Sequence, residues 1–128
     1  ANYLSHSTSA PSTISQHAAI TALTGPQEDM QVMKEAFEKR RDHLVERMNR
    51  IEGVSCIKPE GAFYLFPRTL EADDRAFCER AKKYDLLLVP GSDFGAPGHM
   101  RISYCVKTET VEKALPLFKK LAEEYKIR

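Results

Sequence analysis

Few residues in this chain have the type and setting to do chemistry, and the most pointed is Arg101. It stands at the head of MRISYCV, directly behind the Gly/Pro-rich loop PGSDFGAPGH. A guanidinium is a planar fork of N–H donors that grips a carboxylate through two parallel bonds, and a Gly/Pro loop lets the backbone approach such a ligand closely. Two readings stay open from the residues alone. Arg101 either clamps a ligand carboxylate or pairs with a surface Asp or Glu, since arginines are rarely buried without a partner. The histidines, His6, His17, His43 and His99, are scattered, and none has a second ligand type at metal spacing, so no metal site is expected. Cys56, Cys78 and Cys105 are isolated and odd in number, which suits reduced thiols packed as small hydrophobes in a cytosolic setting. No nucleophile elbow, P-loop or dinucleotide fingerprint occurs. GSDFGAPG is glycine-rich but leads into a strand rather than a helix, which is the wrong context for a phosphate loop.

Composition narrows the partners. With 19 basic and 18 acidic residues the formal charge is +1, so no basic face is available to displace counterions from a nucleic acid. No apolar run approaches the roughly 20 residues that span a bilayer, and no secretory signal is visible. A cytoplasmic protein without membrane or nucleic-acid partners is therefore expected. At 128 residues the chain reads as a single domain, residues 1–128. It opens on ANYLSHSTSAPST without methionine, which reads as the middle of a longer protein.

The elements that must position Arg101 follow from periodicity. A first helix is expected over Ser12–Leu23, with capping-box spacing in Thr13–Gln16 and a stop at Gly25–Pro26. A long second helix, about Gln27–Ile51, carries Met30, Met33, Phe37, Leu44, Met48 and Ile51 as one apolar stripe. Its basic residues alternate with Glu35, Glu38, Asp42 and Glu46, as on a solvated face. VSCIK and AFYLFP read as two short strands, and Asp73 or Asp74 caps a helix running through Tyr84. LLLVP reads as a strand buried on both faces. MRISYCV alternates, with Met100, Ile102 and Tyr104 on one side and Arg101, Ser103 and Cys105 on the other. A last helix from Thr108 contains Pro116, so a kink or a late start is expected. The order is ααββαββα. The class is α/β (α+β): a small mixed sheet of about four short strands with helices packed on it.

Five phrases now carry a resemblance: SHSTSAPSTISQ, FEKRRDHLVERMN, KPEGAFYLFP, LLLVPGSDFG and GHMRISY. Taken together and in this order, they resemble the C-terminal small domain of the fold-type I, pyridoxal-phosphate-dependent aminotransferases of class I/II, in the aspartate aminotransferase group. The resemblance runs nearly end to end. It implies that Arg101 binds the α-carboxylate of amino-acid and 2-oxo-acid substrates. Phe63 matches an aromatic position beside the substrate, although it reads equally as strand core. Thr8 and Ser9 match a loop that reaches the neighbouring subunit's active site in a homodimer. Ala10 stands where relatives often carry asparagine, so the polar contact of that side chain is lost.

The resemblance also implies what the chain lacks. The Schiff-base lysine, in a Ser-x-x-Lys-like phrase, belongs upstream in the large pyridoxal-phosphate-binding domain with most of the cofactor's ligands. No lysine here stands in that context, so the isolated chain is expected to hold no cofactor and to be inactive. Two alternatives remain at this point. One is a stand-alone interaction or dimerisation domain, and the other is the same domain from a related lyase or synthase.

Overall fold

The structure, a computed structural model, describes residues 11–126. The chain divides into two compact units, Ala1–Met33 and Lys34–Arg128. In the first, helix α1 (Thr13–Thr24) is exposed along its whole length, Ile14 and Leu23 included. The capping box expected at its start does not form. Gln16 instead reaches back to the carbonyl of Pro11 through Nε2 at 2.9 Å, an acceptor that the proline leaves within range. Helix α2 (Glu28–Asn49) begins in this unit, with Glu28 and Asp29 in its first turn, where acidic groups favour the helix dipole.

The expected apolar stripe along α2 is only partly buried. Met30 and Met33 are exposed, and burial starts in the second unit with Phe37 and deepens at Leu44 and Met48. VSCIK was expected to be a strand and is not one. The Asn49 side chain at the end of α2 captures it: the Cys56 N–H donates to Asn49 Oδ1 at 2.8 Å, and Asn49 Nδ2 donates to the Cys56 carbonyl at 3.0 Å. One amide thus takes both ladder groups of Cys56, leaving nothing for a neighbouring strand.

Among the described residues the sheet therefore has three strands rather than about four: β1 (Tyr64–Leu65), β2 (Val89–Pro90) and β3 (Met100–Ser103). Their order is β1-β3-β2, and both pairings are antiparallel, so the sheet is not mixed. The element order is ααβαββα. Register places Tyr64 opposite Ser103 and Val89 opposite Arg101. LLLVP is not buried on both faces: Leu86 is buried, but Leu87 is 85% exposed. Only its last two residues pair, and they do so at a sheet edge, the one place where Pro90 costs no ladder bond.

Helix α3 (Asp74–Ala81) is capped by Asp73, whose carboxylate accepts from the N–H groups of Arg75 and Ala76 at 3.0 and 3.1 Å. A 3-10 turn, Lys82–Tyr84, follows and ends at Asp85 in the left-handed region, which a short acidic side chain tolerates. Helix α4 (Thr108–Glu123) starts on time and runs through Pro116. Val111, Leu115, Phe118 and Leu121 are buried on both sides of the proline, and their packing holds the helix together across the lost bond. With Leu65, Phe77, Met100, Ile102 and Tyr104 they form the core. Each such side chain contributes about 1.5–3 kcal/mol of hydrophobic stabilisation on burial.

Candidate functional site

The alternation read from MRISYCV holds. Met100, Ile102 and Tyr104 are buried, while Arg101 is half-buried on the opposite face and Ser103 and Cys105 are exposed. β1 alternates in step, sending Leu65 into the core and leaving Tyr64 half-buried on the Arg101 side. The guanidinium carbon of Arg101 lies 4.5 Å from the centroid of the Tyr64 ring and 4.3 Å from that of Phe94. Aromatic faces attract the cation but accept no N–H bond of ordinary strength. Among the described residues, no carboxylate pairs with Arg101 and none accepts its side-chain N–H groups. The surface-pair reading thus finds no partner among the described residues. There Arg101 is a cation held by two rings, with no acceptor on its side-chain donors.

The aromatic surroundings extend to both sides. Phe94 meets Phe66 edge-on with centroids 6.2 Å apart, and Phe66 stacks on His99 at 5.7 Å. On the other side Tyr64 meets Phe63 at 4.6 Å, and Phe63 meets Phe37 at 6.1 Å. Phe63 is 37% exposed, so it is not strand core, and its ring packs against Tyr64. Ala62 just before it sits at φ 59°, a region that costs an alanine about 1–2 kcal/mol. The buried Tyr104 hydroxyl donates to the Ala62 carbonyl at 2.8 Å and fixes that bend.

The loop between β2 and β3 carries Phe94 and is built tightly. Gly91 donates to the His99 carbonyl at 2.7 Å, and Ala96 donates to the Gly91 carbonyl at 3.0 Å. A side-chain carbon at Gly91 would lie 2.3 Å from the Ala96 oxygen, so only glycine fits. Asp74, buried at the start of α3, accepts from the Ser92 N–H at 2.8 Å, the Ser92 hydroxyl at 2.9 Å and the Gly98 N–H at 3.2 Å. Loop amides of the kind that bind phosphate are thus already taken by a carboxylate at Ser92 and Gly98. Burial raises the Asp74 pKa, but the Ser92 and Gly98 bonds and the nearby Arg75 charge outweigh it, leaving the carboxyl below the usual range.

The remaining sequence candidates do not join this site. His43 lies 2.7 Å from Glu112, between α2 and α4, and His17 is exposed on α1. Burial pushes the thiols of Cys56 and Cys78 up to about 11, as inert core groups, while Cys105 is exposed with its sulfur 2.9 Å from the Ser103 hydroxyl. No metal-binding cluster occurs among the described residues. No helix there is long and apolar enough to cross a membrane. Thr8 and Ser9, with Ala10, lie outside the described residues. Tyr64, Phe94 and Asp74 were missed by the reading of the sequence. Tyr64 was within reach, because AFYLFP alternates as MRISYCV does. Phe94 and Asp74 act across the fold and leave no local pattern.

Arg101 thus stands on an antiparallel sheet behind a glycine-built loop, and comparison supplies the family. The family model for aminotransferase class I and II matches residues 1–117, and the chain belongs to that family. It is 43% identical over 119 residues to an aspartate aminotransferase of Geobacillus stearothermophilus, covering 87% of this chain and 30% of that protein. The solved aromatic aminotransferase of Pyrococcus horikoshii matches with a TM-score of 0.86 at 30% identity, over 99% of this chain and 36% of that one. The aspartate aminotransferase structure from Rhizobium meliloti gives a TM-score of 0.83 at 34% identity, over 95% and 34%. The chain thus spans about a third of the length of the relatives it matches.

Such enzymes imply pyridoxal phosphate, but the described residues offer no lysine in the setting of its Schiff base. Every lysine among them is exposed to solvent, whereas a Schiff-base lysine is tuned by desolvation or by cationic neighbours.

Proposed function

We propose that this chain is the C-terminal small domain of a pyridoxal-phosphate-dependent aminotransferase and that Arg101 is its clamp for the substrate α-carboxylate. The unspent guanidinium beside Tyr64 and Phe94 is the observation that carries this reading. In the intact homodimer the domain closes over the substrate and helps exclude water. Arg101 then fixes the carboxylate by two N–H bonds, which orients the Cα–H bond for transfer of the amino group between an amino acid and a 2-oxo acid. Phe63 extends the aromatic wall beside Tyr64. Thr8 and Ser9 are assigned to a loop that reaches the neighbouring subunit's site. The cofactor, held by the large domain, supplies the carbonyl group and electron sink of the reaction. Alone, the 128-residue chain does not transaminate.

Arg101→Lys in the full-length enzyme tests the clamp. A lysine keeps the charge and loses the planar fork, so kcat/KM for the amino donor falls about 100-fold. Unchanged KM and kcat would refute the role. If the full-length protein instead eliminates or condenses its amino-acid substrate without passing the amino group to a 2-oxo acid, the chain belongs to a lyase or synthase.

A further inference from the structure

The carboxylate of Asp74 does not cap its own helix. Asp73 caps α3, and Asp74 points its acceptors away, into the loop between β2 and β3. Its bonds reach Ser92 near the start of that loop and Gly98 near its end, so a single group ties the two ends together. Between them hangs Phe94, whose ring lies against the Arg101 guanidinium. Phe94 is 49% exposed, so core packing does not fix it; the loop that carries it must. We infer that Asp74 is a positioning residue for carboxylate recognition, holding the Ser92–Gly98 loop so that Phe94 stays against Arg101 and presents its donors ready aligned. The inference rests on the clamp reading and assigns that site a support from a different element.

The chemistry favours a charged acceptor, above all at the oxygen that takes both backbone N–H groups. Asp74 takes hydrogen bonds at both oxygens, from two backbone N–H groups and one hydroxyl. An asparagine can turn its one oxygen to both N–H groups and its NH2 to the Ser92 hydroxyl, but it carries no charge, so bonds that were charge-assisted weaken to ordinary ones and the loop loosens. Phe94 then leaves the guanidinium, and binding must first restore an ordered arginine. That cost falls on ligand and transition state alike, so it raises KM and spares kcat.

The test uses the full-length enzyme and reads KM for the amino donor, kcat, and the inhibition constant of propionate as an unreactive carboxylate. Asp74→Asn is expected to raise KM and the propionate constant about tenfold, with kcat within about twofold. Phe94→Leu is expected to do much the same. The double variant Asp74→Asn/Phe94→Leu is expected to be no worse than the poorer single one, because both act through one contact. Ser92→Ala removes only the hydroxyl bond and is expected to raise KM about threefold; it carries the test if Asp74→Asn fails to fold. A KM within twofold of wild type in Asp74→Asn, or in Ser92→Ala as its substitute, overturns the inference, as does a double variant whose losses multiply. Arg101→Lys separates this from the parent reading. If it leaves the propionate constant unchanged, the clamp itself is wrong; if it raises that constant while Asp74→Asn does not, only the role of Asp74 falls.

Discussion

Asp74 and Arg101 are charges of opposite sign on neighbouring elements, and the fold treats them in opposite ways. Asp74 is buried and receives every bond it can use from the loop it faces. Arg101 is half-buried, held by ring faces, and paired with no acid among the described residues. A charge whose bonds are all satisfied inside the protein serves architecture, because its energy is spent on folding. On the proposed clamp reading, a charge positioned by rings alone is kept for a ligand, and removing it costs recognition rather than stability.

The largest test of that contrast is Arg101→Lys. The expected loss of about 100-fold in kcat/KM corresponds to about 2.7 kcal/mol of transition-state binding. The thermal midpoint should stay within about 2 °C, since lysine keeps the charge and no ion pair among the described residues is broken. A large fall in the midpoint with activity preserved would make Arg101 structural and erase the distinction. Gly91→Ala works from the other side. The added carbon would meet backbone oxygens at 2.3 and 2.8 Å, so the loop must shift, at a cost of about 2 kcal/mol in stability. Denaturant unfolding measures it, and a neutral result would show the loop to be softer than its hydrogen bonds imply.

Titration separates the two charges next. The folded-state pKa of Asp74 is depressed, so its contribution is present above the ordinary carboxylate value of about 4 and is lost as pH falls through the folded value. Asp74→Asn should therefore be less stable than wild type at neutral pH, with the gap closing below about pH 4. Acid unfolding of the two proteins side by side reads this directly. A gap that persists unchanged at low pH would mean that the carboxylate's charge contributes nothing to the loop.

How much of this could be read beforehand depends on whether the cause was local. The face on which Arg101 stands followed from strict alternation in MRISYCV, because every second residue of a strand turns the same way. The loop's shape was legible in its glycines and prolines. The missing strand at VSCIK was not, because it depends on Asn49 reaching Cys56 across a turn. Nor were the roles of Asp73 and Asp74 separable, since two adjacent acids look alike until one of them caps the helix and the other faces a loop 18 residues away. The exposed α1 and the bare start of α2 carry an apolar pattern that no described residue of their own unit covers, which periodicity alone could not foresee.

The smallest expected effect lies beside Asp74 itself. Arg75 Nη2 meets Asp93 Oδ1 at 2.5 Å, so it too joins α3 to the loop, one residue from the buried knot. Both side chains are well exposed, at 63% and 42%, and water can replace each partner for the other. An exposed ion pair of this kind contributes about 0.5 kcal/mol or less, and salt screens it further. Arg75→Ala should thus leave both the unfolding midpoint and the KM of the full-length enzyme near wild type. If it instead matched Asp74→Asn in KM, the loop would be held by its surface charges, and the burial of Asp74 would no longer explain why Phe94 stays against Arg101.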